Sequence, residues 1–247
     1  MPADIQLWFW GLVLLMAIAS GATASVVGFG IGSLLTPVFA LRFGTDAAIA
    51  AVALPHLAGG LIRGWRLRGS IDRSVLVRFG ILSAVGGLAG AFLFAWLTPV
   101  VLTRTLGVLL ILTATAGLTG WSKHWTPRGP LVWILGALSG FFGGIVGNQG
   151  GLRAAALSAF GLAPAAFVAT STVIGVFIDI ARIPVYLYNV GHELTQMGLL
   201  IGIAIAGVSA GTLIGERVLF GLSPERFQKV VSAAVGALGL WFLLRAA

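Results

Sequence analysis

Two short glycine clusters decide the fold of this chain: Gly28-Phe29-Gly30-Ile31-Gly32 near its start and Gly147-Asn148-Gln149-Gly150-Gly151 past its middle. Each cluster separates two apolar stretches, and a shift of 119 residues places Gly28 on Gly147 and Gly32 on Gly151. In membrane proteins, glycine-interrupted segments at corresponding positions of two halves are the best sequence pointer to a substrate site. The duplication therefore predicts a transporter.

The composition places the chain in a lipid bilayer. Its 247 residues are 58% hydrophobic and only 9% charged, with a mean hydropathy of +1.04, whereas soluble domains carry about 25% charged residues. Windows such as 7–41 and 131–152 exceed the roughly 20 apolar residues that a membrane-spanning helix needs. The polar–apolar alternation of a membrane barrel is missing. The sequence therefore predicts an all-α polytopic membrane protein.

Charge and motifs exclude several other functions. The net charge of +8 comes from basic residues in short loops between apolar spans, a pattern that orients membrane proteins, so we expect no nucleic-acid partner. The chain has no cysteine, which excludes disulfides and cysteine-ligated metals. Walker, GxSxG and HExxH patterns are missing. We therefore expect no cofactor, no metal and no enzymatic activity.

The apolar runs and their breakers divide the chain into two repeats. The first repeat, residues 1–120, has predicted helices at 5–26, 33–43, 45–64, 74–97 and 99–119. The second repeat, residues 131–247, has predicted helices at 131–146, 151–162, 164–189, 194–220 and 224–244. Residues 121–130, with two prolines and aromatic side chains, form a linker. Each repeat is thus a glycine-broken helical hairpin followed by three transmembrane helices.

The charges predict how these repeats are oriented. Each half crosses the membrane an odd number of times, so the two repeats have inverted topology. One side then holds ten basic residues: Arg63, Arg66, Arg68, Arg73, Arg78, Lys123, Arg128, Arg217, Arg226 and Lys229. The other side holds Arg42, Arg104 and Arg245. Because positive loops face the cytoplasm, we expect a cytoplasmic linker and both termini outside the inner (plasma) membrane. A parallel arrangement of the repeats fits these charges less well.

The glycine clusters have the chemistry of an anion site. Irregular backbone within the membrane is tolerated where protein buries it or where it lines a wet cavity. A helix that begins there presents N–H groups and a partial positive charge to an anion. Two such starts, at Gly32 and Gly151, would face a common point and predict a small oxyanion as substrate. The backbone of Gly28, Gly30 and Gly150 and the side chains of Asn148 and Gln149 would complete the site. The alternative is close helix packing through GxxxG spacing.

Two polar residues in apolar surroundings are further substrate-binding candidates. Arg153 follows the second cluster, and an arginine within the membrane faces a cavity or a partner by default. It can hold an oxyanion through paired hydrogen bonds, although a structural ion pair or an interfacial position is the alternative. Thr170 begins the run Thr170-Ser171-Thr172, which either lines the transport path or bonds back to the preceding helical turn.

Three titratable residues are candidates for coupling transport to protons. Asp179 and Arg182 lie three apart, so they can share a helix face and form either a structural pair or a protonatable carboxylate tuned by its neighbour. His56 follows Pro55 within a helix and is either a proton carrier or a packed side chain. His192 and Glu193 are expected in an outer loop.

The two halves, each opening with a glycine cluster and an apolar arm, resemble the TauE/SafE family of sulfite exporters. The first arm, Gly28-Phe29-Gly30-Ile31-Gly32-Ser33-Leu34-Leu35-Thr36-Pro37, and the run Ala169-Thr170-Ser171 carry the resemblance, which covers nearly the whole chain. It implies a secondary transporter or permease of sulfite, organosulfonates or related sulfur-containing anions. In the second cluster Asn148-Gln149 replaces glycine, Arg153 stands at a usually apolar position and Ala156 occupies the proline position, which indicates a variant branch.

Together these features predict a secondary anion transporter, with proton coupling as the simplest coupling. The substrate would bind between the cluster tips, with Arg153 as counter-charge and Asn148, Gln149 and Thr170 as hydrogen-bond donors. Glycine pairs at Gly86/Gly90 and Gly207/Gly211 would pack helices within a protomer or between protomers of a homo-oligomer. The alternative function is a membrane-embedded subunit that needs a partner for activity.

Overall fold

The computed structural model describes residues 7–120, 128–148, 150–218 and 224–245. Gln149 and residues 121–127 of the expected linker lie outside the described residues. The described residues contain no β-strand. Within these ranges, six helices are long and apolar enough to cross a membrane, so the prediction of an all-α polytopic membrane protein is confirmed.

A helix is present for every predicted span. The first half contains α1 (Leu7–Val27), α2 (Ile31–Phe43), α3 (Thr45–Arg66), a 3₁₀ turn (Arg68–Ser70), α4 (Arg73–Phe94) and α5 (Pro99–Thr119). The second half contains α6 (Pro130–Val146), α7 (Gly150–Ser158), α8 (Pro164–Gln196), α9 (Gly198–Val218) and α10 (Pro224–Arg245). Proline begins α5, α6 and α8, where its missing N–H leaves no helical hydrogen bond unmade.

The second half differs from expectation in two places. Helix α7 ends at Ser158, four residues before its predicted end, and a turn follows. The expected outer loop at 188–193 is helical, because α8 continues to Gln196 with one non-helical residue, Val190 (φ −131°, ψ 24°). His192 and Glu193 are exposed on this extension. The polar residues of this extension predict a loop by hydropathy, although its backbone is helical beyond the kink at Val190.

The helices of the two halves pack on each other reciprocally. Helix α1 of the first half packs along α9 of the second, and α6 of the second packs along α4 of the first. Helix α3 packs on α8, and α5 packs on α10. Two of these pairs join the first helix of one half to the fourth helix of the other. The other two pairs join the third helices of the two halves and the fifth helices of the two halves.

Glycines bring the backbones of the reciprocal pairs into contact. A β-carbon on Gly140 of α6 would overlap the carbonyl of Ser83 on α4, and one on Gly211 of α9 would overlap the carbonyl of Ile18 on α1. Small residues permit this close approach between membrane helices. The four glycines expected to pack helices all lie in these contacts within the chain: Gly86, Gly90, Gly207 and Gly211.

Candidate functional site

The two glycine clusters are in direct contact. A β-carbon on Gly32 would overlap the carbonyl oxygen of Gly147, so the two backbones touch at this point. Beside it, the Ser33 hydroxyl donates a hydrogen bond of 2.9 Å to Oδ1 of Asn148. Clusters that are 119 residues apart in sequence thus form one crossing point in the bundle, which we call the cluster contact. It comprises residues 28–33, 147, 148 and 150.

The backbone at the cluster contact needs glycine. Gly28 (φ 84°), Gly30 (φ 128°) and Gly147 (φ 71°) adopt conformations that residues with a β-carbon rarely take. After these breaks α2 begins at Ile31, two residues before its predicted start, and α7 begins at Gly150, one residue before its predicted start. The N-cap of α2 is Gly30, which offers no side-chain acceptor. The first turn of α2 therefore keeps the N–H groups and partial positive charge that favour an anion.

A small cavity lies beside the first cluster. It measures about 30 Å³, and its lining includes Gly30, Phe29 and the hydroxyl residues Thr23, Ser33, Thr113 and Ser232. One water needs about 10–15 Å³ of such space, so the cavity admits one or two water molecules but no sulfur oxyanion. Across the cluster contact, Nδ2 of Asn148 is buried without a hydrogen-bond partner.

Arg153 lies in the first turn of α7 and is buried, with 1% of its surface exposed. Its Nε donates a hydrogen bond of 2.9 Å to the Ser171 hydroxyl of α8, while its Nη1 is buried without a partner. In the described ranges no carboxylate forms an ion pair with it. The guanidinium thus does not reach the interface, and it keeps a free donor in the interior of the bundle.

The three coupling candidates form one buried network. Nδ1 of His56 lies 2.6 Å from Oδ2 of Asp179, and Nη2 of Arg182 lies 2.8 Å from the other carboxylate oxygen, Oδ1. Nη1 of Arg182 donates a hydrogen bond of 2.7 Å to the carbonyl of Gly143. The Tyr186 hydroxyl donates one of 2.5 Å to the carbonyl of Gly144. The network therefore joins α3 and α8 to the end of α6, where the second cluster begins.

The hydroxyl run of α8 makes three different contacts. Thr170 accepts a hydrogen bond of 2.9 Å from the backbone N–H of Asp72, in the connection between α3 and α4. Ser171 accepts from Arg153, and Thr172 accepts from Nε of Arg63 at 3.4 Å. Ser171 and Thr172 therefore accept hydrogen bonds from arginine side chains, whereas the Thr170 hydroxyl accepts one from the backbone of the α3–α4 connection.

Sequence reasoning missed three residues of these networks, Ser33, Arg63 and Tyr186, and from the hydroxyl run it chose Thr170 rather than Ser171 or Thr172 as a substrate-binding candidate. Arg63 was expected among the cytoplasmic loop charges, but it is buried within α3, with 3% of its surface exposed. A signal for it was available, because the repeat alignment places Arg63 on Arg182. Tyr186 follows Arg182 by one helical turn, and its ring also lies under that guanidinium.

Positive charge is in excess inside the described bundle. Besides Tyr186, its buried ionisable side chains are three arginines, one carboxylate and one histidine: Arg63, Arg153, Arg182, Asp179 and His56. Asp179 is paired with Arg182 and His56. A neutral histidine leaves an excess of two positive charges, and such groups are costly in a low-dielectric interior unless a counter-charge is present.

The family model described as Sulfite exporter TauE/SafE matches residues 13–242, nearly the whole chain. The chain matches no curated protein and no solved structure at a significant level.

Proposed function

Because the chain belongs to the TauE/SafE family of sulfite exporters, which are transporters and not enzymes, we propose that it exports sulfite or a related sulfur oxyanion across the inner membrane as a secondary transporter. One observation carries the choice of site. Arg153, in the first turn of the helix after the second cluster, has a buried guanidinium with a free donor and no carboxylate partner among the described residues.

The chemistry of this arginine suits a sulfur oxyanion. A guanidinium stays charged at any physiological pH and presents its donors in a planar fork that matches two oxygens of one anion. Asn148 adds an unpartnered buried donor at the cluster contact, and the start of α2 adds a partial positive charge. The anion would bind between these groups, with Gly28, Gly30, Gly32, Gly150 and Gly151 as backbone and Gln149 as a further polar group.

Transport would proceed by alternating access around the cluster contact. The equivalent helices α3 and α8 pack antiparallel, since His56 contacts Asp179 while Arg63, later in α3, contacts Thr172, earlier in α8, and this supports two inverted repeats, residues 1–120 and 131–247. Folds of this kind move one part of the bundle against another around a central site.

Proton coupling would use the network of His56, Asp179 and Arg182. The imidazole titrates near physiological pH in its unperturbed state, and it contacts the carboxylate that also holds Arg182. Arg182 in turn contacts the carbonyl of Gly143 and lies against Gly147. A proton on His56 would change the interactions of Asp179 and, through Arg182, the position of the second cluster.

The test is sulfite flux in proteoliposomes that contain purified protein. We expect Arg153→Ala to reduce flux about tenfold or more, as for loss of a charged hydrogen-bond donor, and Arg153→Lys to retain part of it. Arg78→Ala removes an exposed arginine of α4 and serves as the matched control. Unchanged flux and affinity in Arg153→Ala would disprove the site. No flux of any sulfur oxyanion with the wild type would favour a subunit that needs a partner.

A further inference from the structure

We propose that Arg63 and Arg153 together bind one doubly charged oxyanion, and that the second arginine makes the chain prefer a dianion to a monoanionic sulfonate. The proposal rests on the proposed transport of a sulfur oxyanion. It adds a residue to that site, Arg63, and a property of the substrate, its two negative charges.

Both arginines are held by hydroxyls of the same turn of α8. Arg63 of α3 donates from Nε to Thr172, and Arg153 of α7 donates from Nε to Ser171, the adjacent residue. Both side chains are buried, with 3% and 1% of their surfaces exposed. In each, Nη1 is buried without a hydrogen-bond partner. Two helices thus bring two guanidinium groups, each with a free donor, to one turn of α8.

Glycines make room for this arrangement. Nη1 of Arg153 lies 3.3 Å from the position that a β-carbon on Gly175 would occupy, so a side chain there would crowd the guanidinium. Where α3 packs on α8, Gly60 and Gly64 of α3 lie against Val176 and Val173. This close packing of α3 on α8 is what carries Arg63 into the interior.

The two guanidinium groups repel each other and have no protein counter-charge of their own. Both are bound by the same turn of α8, at Thr172 and Ser171. Asp179 is the one carboxylate buried among the described residues, and both of its oxygens are already engaged, Oδ2 by His56 and Oδ1 by Arg182. Two buried like charges are unfavourable unless an anion lies between them. Two uncompensated positive charges match an anion that carries two negative charges.

A matched pair of anions tests this inference. Sulfite and methanesulfonate both present three oxygens on sulfur, but at mildly alkaline pH sulfite is a dianion and methanesulfonate a monoanion. Binding of each to purified protein is measured by calorimetry, and flux of each in proteoliposomes. We expect the wild type to bind sulfite more tightly. Arg63→Gln should weaken sulfite binding about tenfold or more and change methanesulfonate binding little. Retained binding of methanesulfonate also shows that the variant is folded.

Two further variants make the result decisive. Arg63→Lys keeps the charge and should keep the preference for sulfite, whereas Arg66→Gln, which removes an exposed arginine of the same helix, should behave as the wild type. An unchanged ratio of the two affinities in Arg63→Gln, or loss of the preference in Arg63→Lys, would overturn the two-arginine site and leave the proposed function standing. A wild type that neither binds nor transports either anion would overturn both.

Discussion

His56 on α3 and Asp179 on α8 are in direct contact, with Nδ1 of the imidazole 2.6 Å from Oδ2 of the carboxylate. The other oxygen of Asp179 forms an ion pair with Arg182, whose guanidinium also donates a hydrogen bond to the carbonyl of Gly143 on α6. Asp179 itself is fully buried. One carboxylate therefore connects three helices, and the pair of Asp179 and Arg182 has a structural role whether or not the network also carries protons.

The first prediction concerns that structural role. Asp179→Asn removes the counter-charge of a buried arginine, and breaking a buried ion pair in this way typically costs about 3–5 kcal/mol. We expect a clearly lower unfolding temperature in detergent. Asp179→Asn combined with Arg182→Gln should be more stable than Asp179→Asn alone, because no unpaired charge then remains. Additive losses of stability in this double-mutant cycle would contradict the pairing.

The second prediction concerns proton coupling. His56→Gln keeps a polar side chain of similar reach but cannot take up a proton, so sulfite should still move down its own gradient. Stimulation of that flux by an imposed pH gradient should be lost. The matched control is His192→Gln, which changes an exposed histidine on the extension of α8 and should keep the stimulation. Full stimulation in His56→Gln would exclude this residue as the proton carrier.

The helices and the pairing of the two glycine clusters could be predicted because both leave local signals. Apolar runs of membrane length and glycine breaks are visible directly in the sequence. The duplication marks Gly28 as the counterpart of Gly147, and Gly32 as the counterpart of Gly151. Contact between the clusters also follows from this duplication, because related halves bring related breaks together. The family match then agrees with the resemblance that these motifs carry.

The position of Arg63 could not be predicted in the same way. An arginine one residue before the end of a predicted span, 45–64, is interpreted as a loop charge, and the side of the helix that it occupies is set by tertiary packing. Here Gly60 and Gly64 allow that side of α3 to pack closely on α8. The partners of Thr170 and Ser171 depend equally on contacts between helices, with Asp72 and Arg153, so they have no signal in local sequence.

The third prediction concerns the cluster contact. A β-carbon on Gly32 would overlap the backbone carbonyl of Gly147, and backbone cannot move aside as a flexible side chain can. Gly32→Ala should therefore lower the unfolding temperature and abolish most sulfite flux. Gly11→Ala on α1, where no atom lies within 4 Å of the new carbon, should be neutral or stabilising by up to about 1 kcal/mol, the helix preference of alanine. Equal stability of the two variants would contradict the close contact.

The last prediction concerns orientation, where burial of Arg63 removes one of the ten basic residues assigned to the cytoplasmic side. The remaining nine still outnumber the three on the other side, so the positive-inside rule gives the same orientation. The chain has no cysteine, which permits single-cysteine labelling with a membrane-impermeant maleimide. Arg68→Cys, between α3 and α4, and Glu193→Cys, near the end of α8, are both at exposed positions.

Arg68 and Glu193 lie near the C-terminal ends of α3 and α8. These are the third helices of the first and second halves. Inverted repeats place the two residues on opposite sides of the membrane, whereas parallel repeats place them on the same side. We expect Glu193→Cys to be labelled in intact cells and Arg68→Cys only after the cells are permeabilised. A reporter fused after Ala247 should then lie outside. Labelling of both cysteines under the same condition would refute the inversion, and with it the alternating-access scheme that depends on two oppositely oriented halves.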